Sequence, residues 1–559
     1  MKLIYQDKYE IVDSCMSDSN IGARKKKNIR NHSFIINGVI NEILNNKNKS
    51  IDIEIVDYRQ CFDSMWLEES INDLYEAGIQ DDELPLIYKS DETSEIAVNT
   101  PFGITDRETV HKIVMQGEVL APLKCSVQVD TIGKECIEEK KNLYQYKEKV
   151  SIPPLGMVDD IIAVSKCGVN SLLMNSFLNS KTNIKKLQFG TQKCHKLHIG
   201  KSDHLCPDLY IDSWKVESRN EILTNIRDLL DVEDDLHKME TVDDDKYLGD
   251  IISSDGKNSK NIAARKARGL AAVDRICQIL EEICFGPFLM EVAVILRNSL
   301  LLSTILSNCE SWYNLTLKEV EELESVDESL LQKILEAPFS TPKEMFFLEM
   351  GIIPIRFILM KRRFSFLHYI LKEDKNSLIY NFFQEQSSNP VKGDWILTVK
   401  DDLEAIGIDL EIEEIEQLSE GQFKTIIDEA VEKHAFEYLI GLKNSHSKVE
   451  KIEFRSLEMQ RYLTPSDLLN SQVKFIFQAR TRMLNVKANY KNGNSDLQCR
   501  ACNKFEENQP HLLVCEELNN NLISKENPVY EDIFYENFDK LKITASMLET
   551  SFKKLRDKC

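Results

Sequence analysis

Isoleucines 51, 53 and 55 alternate with Asp52 and Glu54. That two-residue period predicts a half-buried strand, and the run ends at Asp57. From Phe62 to Tyr75 the spacing turns helical, with Leu67, Ile71, Leu74 and Tyr75 able to share a face. The stretch from Ile152 to Val164 is an apolar run broken by Asp159-Asp160, which predicts two short strands joined by a tight turn. Lys246 to Ser253 predicts another short strand, closed by the turn signal Ser254-Asp255-Gly256. Beyond Lys257 the pattern is helical. Apolar-periodic segments run from Ala271 to Cys284, Met290 to Leu306, Leu317 to Leu335 and Ile355 to Leu371, punctuated by prolines 287, 338, 342 and 354. Acidic amphipathic helices continue from Asp401 to Leu442. The expected class is α+β first and all-α second.

Composition narrows the setting. The 559 residues exceed one ordinary core, and 42% hydrophobic with 29% charged residues describes a globular chain. No secretory signal is visible. The most apolar stretch, Phe288 to Leu306, is interrupted by Glu291 and Arg297 and reads as a buried helix rather than a membrane span. These features predict an intracellular protein of nucleus or cytoplasm, neither secreted nor membrane-bound. The fourteen cysteines are scattered and read as reduced core residues, apart from those between Cys499 and Cys515. A formal charge of -22 argues against a general polyanion binder. The charge is uneven, however. Basic islands lie at Ile21 to Ser50 (Arg24, Lys25, Lys26, Lys27, Arg30, Lys47, Lys49), at Lys257 to Arg275 and at Arg356 to Lys372. Each alone reads as a solvated face.

Two places carry candidate chemistry in the first half. Asp57 sits at a strand end with Phe62-Asp63 following, and Asp159-Asp160 sits in a turn between apolar strands. Carboxylates on rigid strands are what two-metal nucleotidyl transfer requires, since two divalent ions roughly 3.5–4 Å apart must serve the attacking hydroxyl and the leaving pyrophosphate. Singly, an Asp-Asp pair is more often a turn and Phe-Asp more often a helix cap. The order of the pieces adds information: Asp57-x4-Phe62-Asp63, then Gln116-Gly117-x4-Pro122, then Asp159-Asp160, then Tyr247-Leu248-Gly249.

This ordered set resembles the palm of reverse transcriptases of non-long-terminal-repeat retrotransposons. Ser19-Asn20-Ile21-Gly22-Ala23-Arg24 through Asn31-His32 is similar to the segment ahead of the family's first catalytic strand. Ser311-Trp312, Thr341-Pro342, Glu349-Met350-Gly351-Ile352 and Lys361-Arg362-Arg363 are similar to the region after its palm. The resemblance implies an RNA-directed DNA polymerase using two Mg²⁺, an RNA template, a DNA primer and deoxynucleoside triphosphates. It implies Asp57, Asp159 and Asp160 as metal ligands and Phe62 as the side chain closing off the sugar 2′ position. Gln116 and Gly117 would lie along template and incoming nucleotide, Arg24 would belong to the substrate-binding segment, and Tyr247 to Gly249 would support the primer. Lys193 aligns with a lysine that protonates pyrophosphate, or is an exposed lysine after a strand. The chain departs from the family pattern at Met157 and Ala23, each in place of an aromatic, and its start shortly before Ser19 leads to the expectation of an N-terminal truncation.

Cys499-x2-Cys502-x8-His511-x3-Cys515 is a spacing suited to one structural, tetrahedral Zn²⁺. The expected organisation is a partial fingers segment over 1–50, palm over 51–256, helical thumb over 257–375, helical connector over 376–490, the zinc-binding module over 491–520 and a tail over 521–559. Lys257, Lys260, Arg265, Lys266 and Arg268 would then track duplex phosphates, or form a solvated helix face. The rival functional expectation is a truncated, catalytically inactive remnant that binds nucleic acid.

Overall fold

The structure, a computed structural model, describes residues 2–46, 48–59, 61–79, 83–92, 95–109, 120–139, 143–201, 206–212, 236–283, 289–464, 468–490, 496–519, 529–534 and 538–557. It mixes helix and sheet and divides into two compact units. The first comprises residues 1–261, 310–314 and 366–400, the second 262–309, 315–365 and 401–559. The break expected at 257 therefore falls a few residues later, and two segments expected in helical regions return to the first unit. Aromatic packing explains the return. Phe34 lies edge-on to Phe366, Phe382 and Trp395, with centroids 5.5, 5.5 and 5.3 Å away, and Trp395 donates its indole N–H to the Glu310 carbonyl at 2.7 Å.

The first unit is built on a five-stranded sheet in the order Glu240–Thr241, His195–Gly200, Ser50–Asp57, Asp160–Lys166, Leu155–Met157. All neighbours are antiparallel except the parallel pair of His195 with Glu240. The strand at Ser50–Asp57 is central, and both its faces are buried. Ile51, Ile53 and Ile55 share one face with Ile162, Val164, Leu197 and Ile199, all buried. Val56, Ile161 and Ala163 pack on the other face with Ala121, Cys125 and Val129 of the helix Ala121–Glu139, and with Met174 and Leu178 of Val169–Ile184. The half-buried strand read from the alternation is thus corrected: Asp52 and Glu54 are inaccessible to solvent. Each has a partner. Asn175 donates to Glu54 at 2.8 Å, and His198 bonds Asp52 at 2.8 Å. Burial still pushes the Glu54 carboxyl up to about 8.

The single strand expected over Lys246 to Ser253 is a hairpin instead, with Asp244–Tyr247 paired to Asp250–Ser253. Leu248 and Gly249 form its two-residue turn, both at positive φ (47° and 91°) as the strand twist demands. The predicted helix from Phe62 to Tyr75 breaks at Met65 and Trp66 into Cys61–Ser64 and Leu67–Glu76. The second unit is helical. It begins within the long helix Ser259–Ile283 and includes Leu317–Ile334, Ile355–Lys372 in part and Glu420–Ser445. Buried Arg297 pairs with Asp327 through two bonds of 2.7 and 2.6 Å, and buried Arg480 with Glu349 at 2.9 Å. Among the described residues no helix is long and apolar enough to cross a membrane.

Candidate active site and metal-binding cluster

The central strand presents Asp57 at its C-terminal end, where the chain leaves the sheet. Asp160 opens the next strand and is the antiparallel partner of Asp57, so their Cα atoms lie about 5 Å apart. Asp159 is the second central residue of the turn closed by the Met157 and Asp160 pair. Val158, the first, has φ 59°, a left-handed conformation that a β-branched residue keeps only when its surroundings impose it. The surroundings are the segment at 19–22. Ile21 N–H donates to the Gly156 carbonyl at 3.0 Å and Gly156 N–H to the Ser19 carbonyl at 2.9 Å. Gly22 then lies so close that a Cβ there would meet Val158 N at 2.5 Å and Ser126 Oγ at 2.6 Å. No other residue fits without moving the turn that holds Asp159.

Three carboxylates gather here, with Lys193 beside Asp57 and Lys246 within electrostatic reach of Asp160. Burial, reinforced by Asp159 and Asp57 and opposed by Lys193 and Lys246, pushes Asp160 up to about 6. Burial and the charge of Asp57 also raise Asp159, against its own backbone N–H and Lys193. Lys193 places Nζ 3.1 and 3.3 Å from the two oxygens of Asp57 while its side chain stays 72% exposed. Hydrogen bonding and attraction to Asp57 raise its own pKa. Unbalanced negative charge on hard oxygens is the chemistry that takes up a divalent cation. The aspartates line a strand end rather than close on one point. Among the described residues, the groups whose ligand atoms all lie within 4.8 Å of one another are two others.

The remaining expected residues vary. Phe62 is half-buried against the core cluster that includes Val56 and Tyr58. Gln116 and Gly117 lie outside the described residues. Arg24 is engaged internally: its guanidinium bonds Asp13 Oδ1 at 2.7 Å and the carbonyls of Asp13, Ser17 and Asn20. Tyr247 is buried with its hydroxyl 2.9 Å from His32 Nδ1, and Gly249 turns the hairpin beside it. Several residues of the basic islands are similarly held in ion pairs or buried. Lys27 meets Asp18 and Glu373, Arg30 meets Glu310, Lys260 meets Asp244, Arg356 grips Glu324 twice, and Arg265 is buried. A phosphate-tracking row that includes Arg265 is therefore corrected to a partly buried helix face.

One of the two convergent groups is Cys499, Cys502, His511 and Cys515, which could hold a metal such as zinc. The first pair sits in a tight turn where Cys499 N–H donates to the Phe505 carbonyl at 2.7 Å and Asn503 N–H to the Cys499 carbonyl at 2.8 Å. Ala501 N–H points at Cys499 Sγ, 3.4 Å away, and Cys502 Sγ lies 3.4 Å from His511 Nε2. Burial works against the Cys502 thiolate, but the amides of Lys504 and Phe505, with His511 and Cys499, bring it down to about 6. Glu507, fully buried and held twice by Arg500, braces this turn from below.

No protein-family model matches the chain, and no curated protein matches it. Among solved structures it is similar to apo telomerase from Candida tropicalis, at 11% identity and TM-score 0.31 over 79% of this chain and 57% of that one. It is also similar to telomerase from Candida tropicalis in complex with a fragment of telomeric RNA (12%, TM-score 0.31, 62% and 51%). The telomerase of Candida albicans in such a complex gives 11% and TM-score 0.29 over 73% and 55%. The chain spans a little over half the length of these telomerases. The functional reading rests on the residues themselves.

Proposed function

We propose that the chain is an RNA-directed DNA polymerase of the non-long-terminal-repeat retrotransposon kind, with its catalytic centre at Asp57, Asp159 and Asp160. The observation that supports this reading is the register that sets Asp57 opposite Asp160, with Asp159 in the adjoining turn. The three carboxylates would hold two Mg²⁺, whose chemistry there is to activate a primer 3′-hydroxyl and neutralise the leaving pyrophosphate. The residues supply position. The Gly22 contact fixes the turn and the ladder fixes Asp57, so the side chains alone would turn to meet the ions. Lys193 would exchange Asp57 for the triphosphate and give its proton to pyrophosphate, and half-buried Phe62 would sit beneath the sugar. RNA template, DNA primer and deoxynucleoside triphosphates are the partners of this reading. The palm would be the sheet unit and the thumb part of the helical unit.

The test is primer extension on an RNA template with Mg²⁺ or Mn²⁺. Asp57→Asn and Asp159→Asn should each reduce incorporation by about 10²-fold or more while leaving the far-ultraviolet circular dichroism unchanged. Parental rates in both variants would remove the site. A non-catalytic nucleic-acid-binding chain is the second reading. Lys193 favours it by occupying both oxygens of Asp57, and it predicts duplex retention on filters with no incorporation under either ion.

A further inference from the structure

Far from the strand-end aspartates, a second set of ligand-type side chains converges inside the sheet unit. Asp52 lies five residues before Asp57 on the same strand, about 17 Å away and on the opposite face. Its ladder partners are Ser165 and His198 on the two flanking strands. Cys167 follows the strand Asp160–Lys166 and is fixed by its N–H donating to the Ser50 carbonyl at 3.1 Å. Cys206 comes from the chain beyond His195–Gly200. One ligand atom from each of Asp52, Cys167, His198 and Cys206 lies within 4.8 Å of all the others.

We infer that these four residues form a second structural zinc site, independent of the polymerase reading. Three features support it. The first is distance. Cys206 Sγ stands 3.5 Å from His198 Nδ1 and 3.6 Å from Asp52 Oδ1. A tetrahedron with Zn–S near 2.3 Å and Zn–N or Zn–O near 2.0–2.1 Å has mixed edges of about 3.5 Å. The two Cys206 distances already match, the 2.8 Å contact of His198 with Asp52 opens by about half an ångström, and Cys167 closes in from within 4.8 Å. The second is unmet bonding: Asp52 Oδ2 is buried without a hydrogen-bond partner. A carboxylate inaccessible to solvent in the central strand is costly unless a cation answers it. The third is charge. Two thiolates and one carboxylate exceed Zn²⁺ by one negative charge, and buried Lys196 supplies the opposite one, with Nζ 3.0 Å from Cys206 Sγ and 3.9 Å from Asp52 Oδ1. Two soft sulfurs with an imidazole select zinc over magnesium or calcium. All four positions are taken by protein, so the ion would tie three adjacent strands and the following chain together rather than catalyse.

The test is zinc content of the full-length chain, purified under reducing conditions and freed of loosely held metal. The expected result is about two zinc ions per chain, falling to about one in Cys206→Ser and in His198→Gln. Cys499→Ser should fall to about one by losing the other ion, and the Cys206→Ser/Cys499→Ser chain should hold almost none. Cobalt substitution supplies a readout separate from folding. The sulfur-to-cobalt charge-transfer band of Cys499→Ser should survive and then vanish when Cys206→Ser is added. Unchanged zinc in both Cys206→Ser and His198→Gln overturns the inference. So does a Cys167–Cys206 disulfide found by mass spectrometry in the reduced preparation.

Discussion

His32 is wholly buried between two partners. Nε2 lies 3.0 Å from the Ser19 carbonyl and therefore donates, leaving Nδ1 to accept from the Tyr247 hydroxyl. Burial outweighs the Ser19 bond and drives its pKa from 6.5 down to about 3. Between those values the unfolded chain carries a proton that the folded chain rejects, so stability is lost as pH falls below about 6.5. At pH 5 the loss from this residue is about 2 kcal/mol. His32→Gln should lose that much less on going from pH 7 to pH 5, read from urea midpoints; parallel losses in parent and variant would contradict it. At this scale the sequence was partly legible. Asp57, Asp159 and Asp160 could be singled out because strand ends and turns leave signatures. The positive φ of Val158 leaves none, since it is imposed by Gly22 from more than a hundred residues away. The set of Asp52, Cys167, His198 and Cys206 was equally hidden, because its members are adjacent across strands rather than along the chain.

Among elements, the hairpin Asp244–Tyr247 with Asp250–Ser253 shows how much one side chain can organise. Asp250 accepts from Trp312 Nε1 at 3.1 Å, Asn261 Nδ2 at 3.1 Å and Ser33 Oγ at 3.3 Å. It thereby joins the hairpin to the helix Ile29–Asn45, the start of Ser259–Ile283 and the returning segment 310–314. Asp250→Ala should cost about 3 kcal/mol, because three buried donors lose their acceptor, and Asp250→Asn less. Equal midpoints for Asp250→Ala and the parent in denaturant would show the junction to be unimportant. Helices that follow apolar periodicity, such as Leu317–Ile334 and Ile355–Lys372, were readable to within a residue or so. Alternation misled at Ser50–Asp57, because pairing on both edges and helical cover bury polar positions that a two-residue period assigns to water. The hairpin turn was missed because Leu248 carries no turn signal.

Across the molecule, an acidic chain of charge -22 spends much of its positive charge on internal ion pairs. The first unit draws residues 366–400 back to its sheet through a core of Phe34, Phe366, Phe382 and Trp395. Trp395→Ala should destabilise that unit by about 3–5 kcal/mol, measured by urea unfolding followed through far-ultraviolet circular dichroism; a change below about 1 kcal/mol would contradict the packing argument. Nucleotidyl transfer at this centre requires the strand-end aspartates to grip divalent cations. Fe²⁺ exchanged into that site, with ascorbate and peroxide, cuts the nearby backbone, and the fragments can be mapped by mass. Cuts are expected close to residues 57 and 159–160, suppressed by excess Mg²⁺ and absent from Asp57→Asn/Asp160→Asn. No cutting at either place, or cutting that persists in that variant, would contradict it.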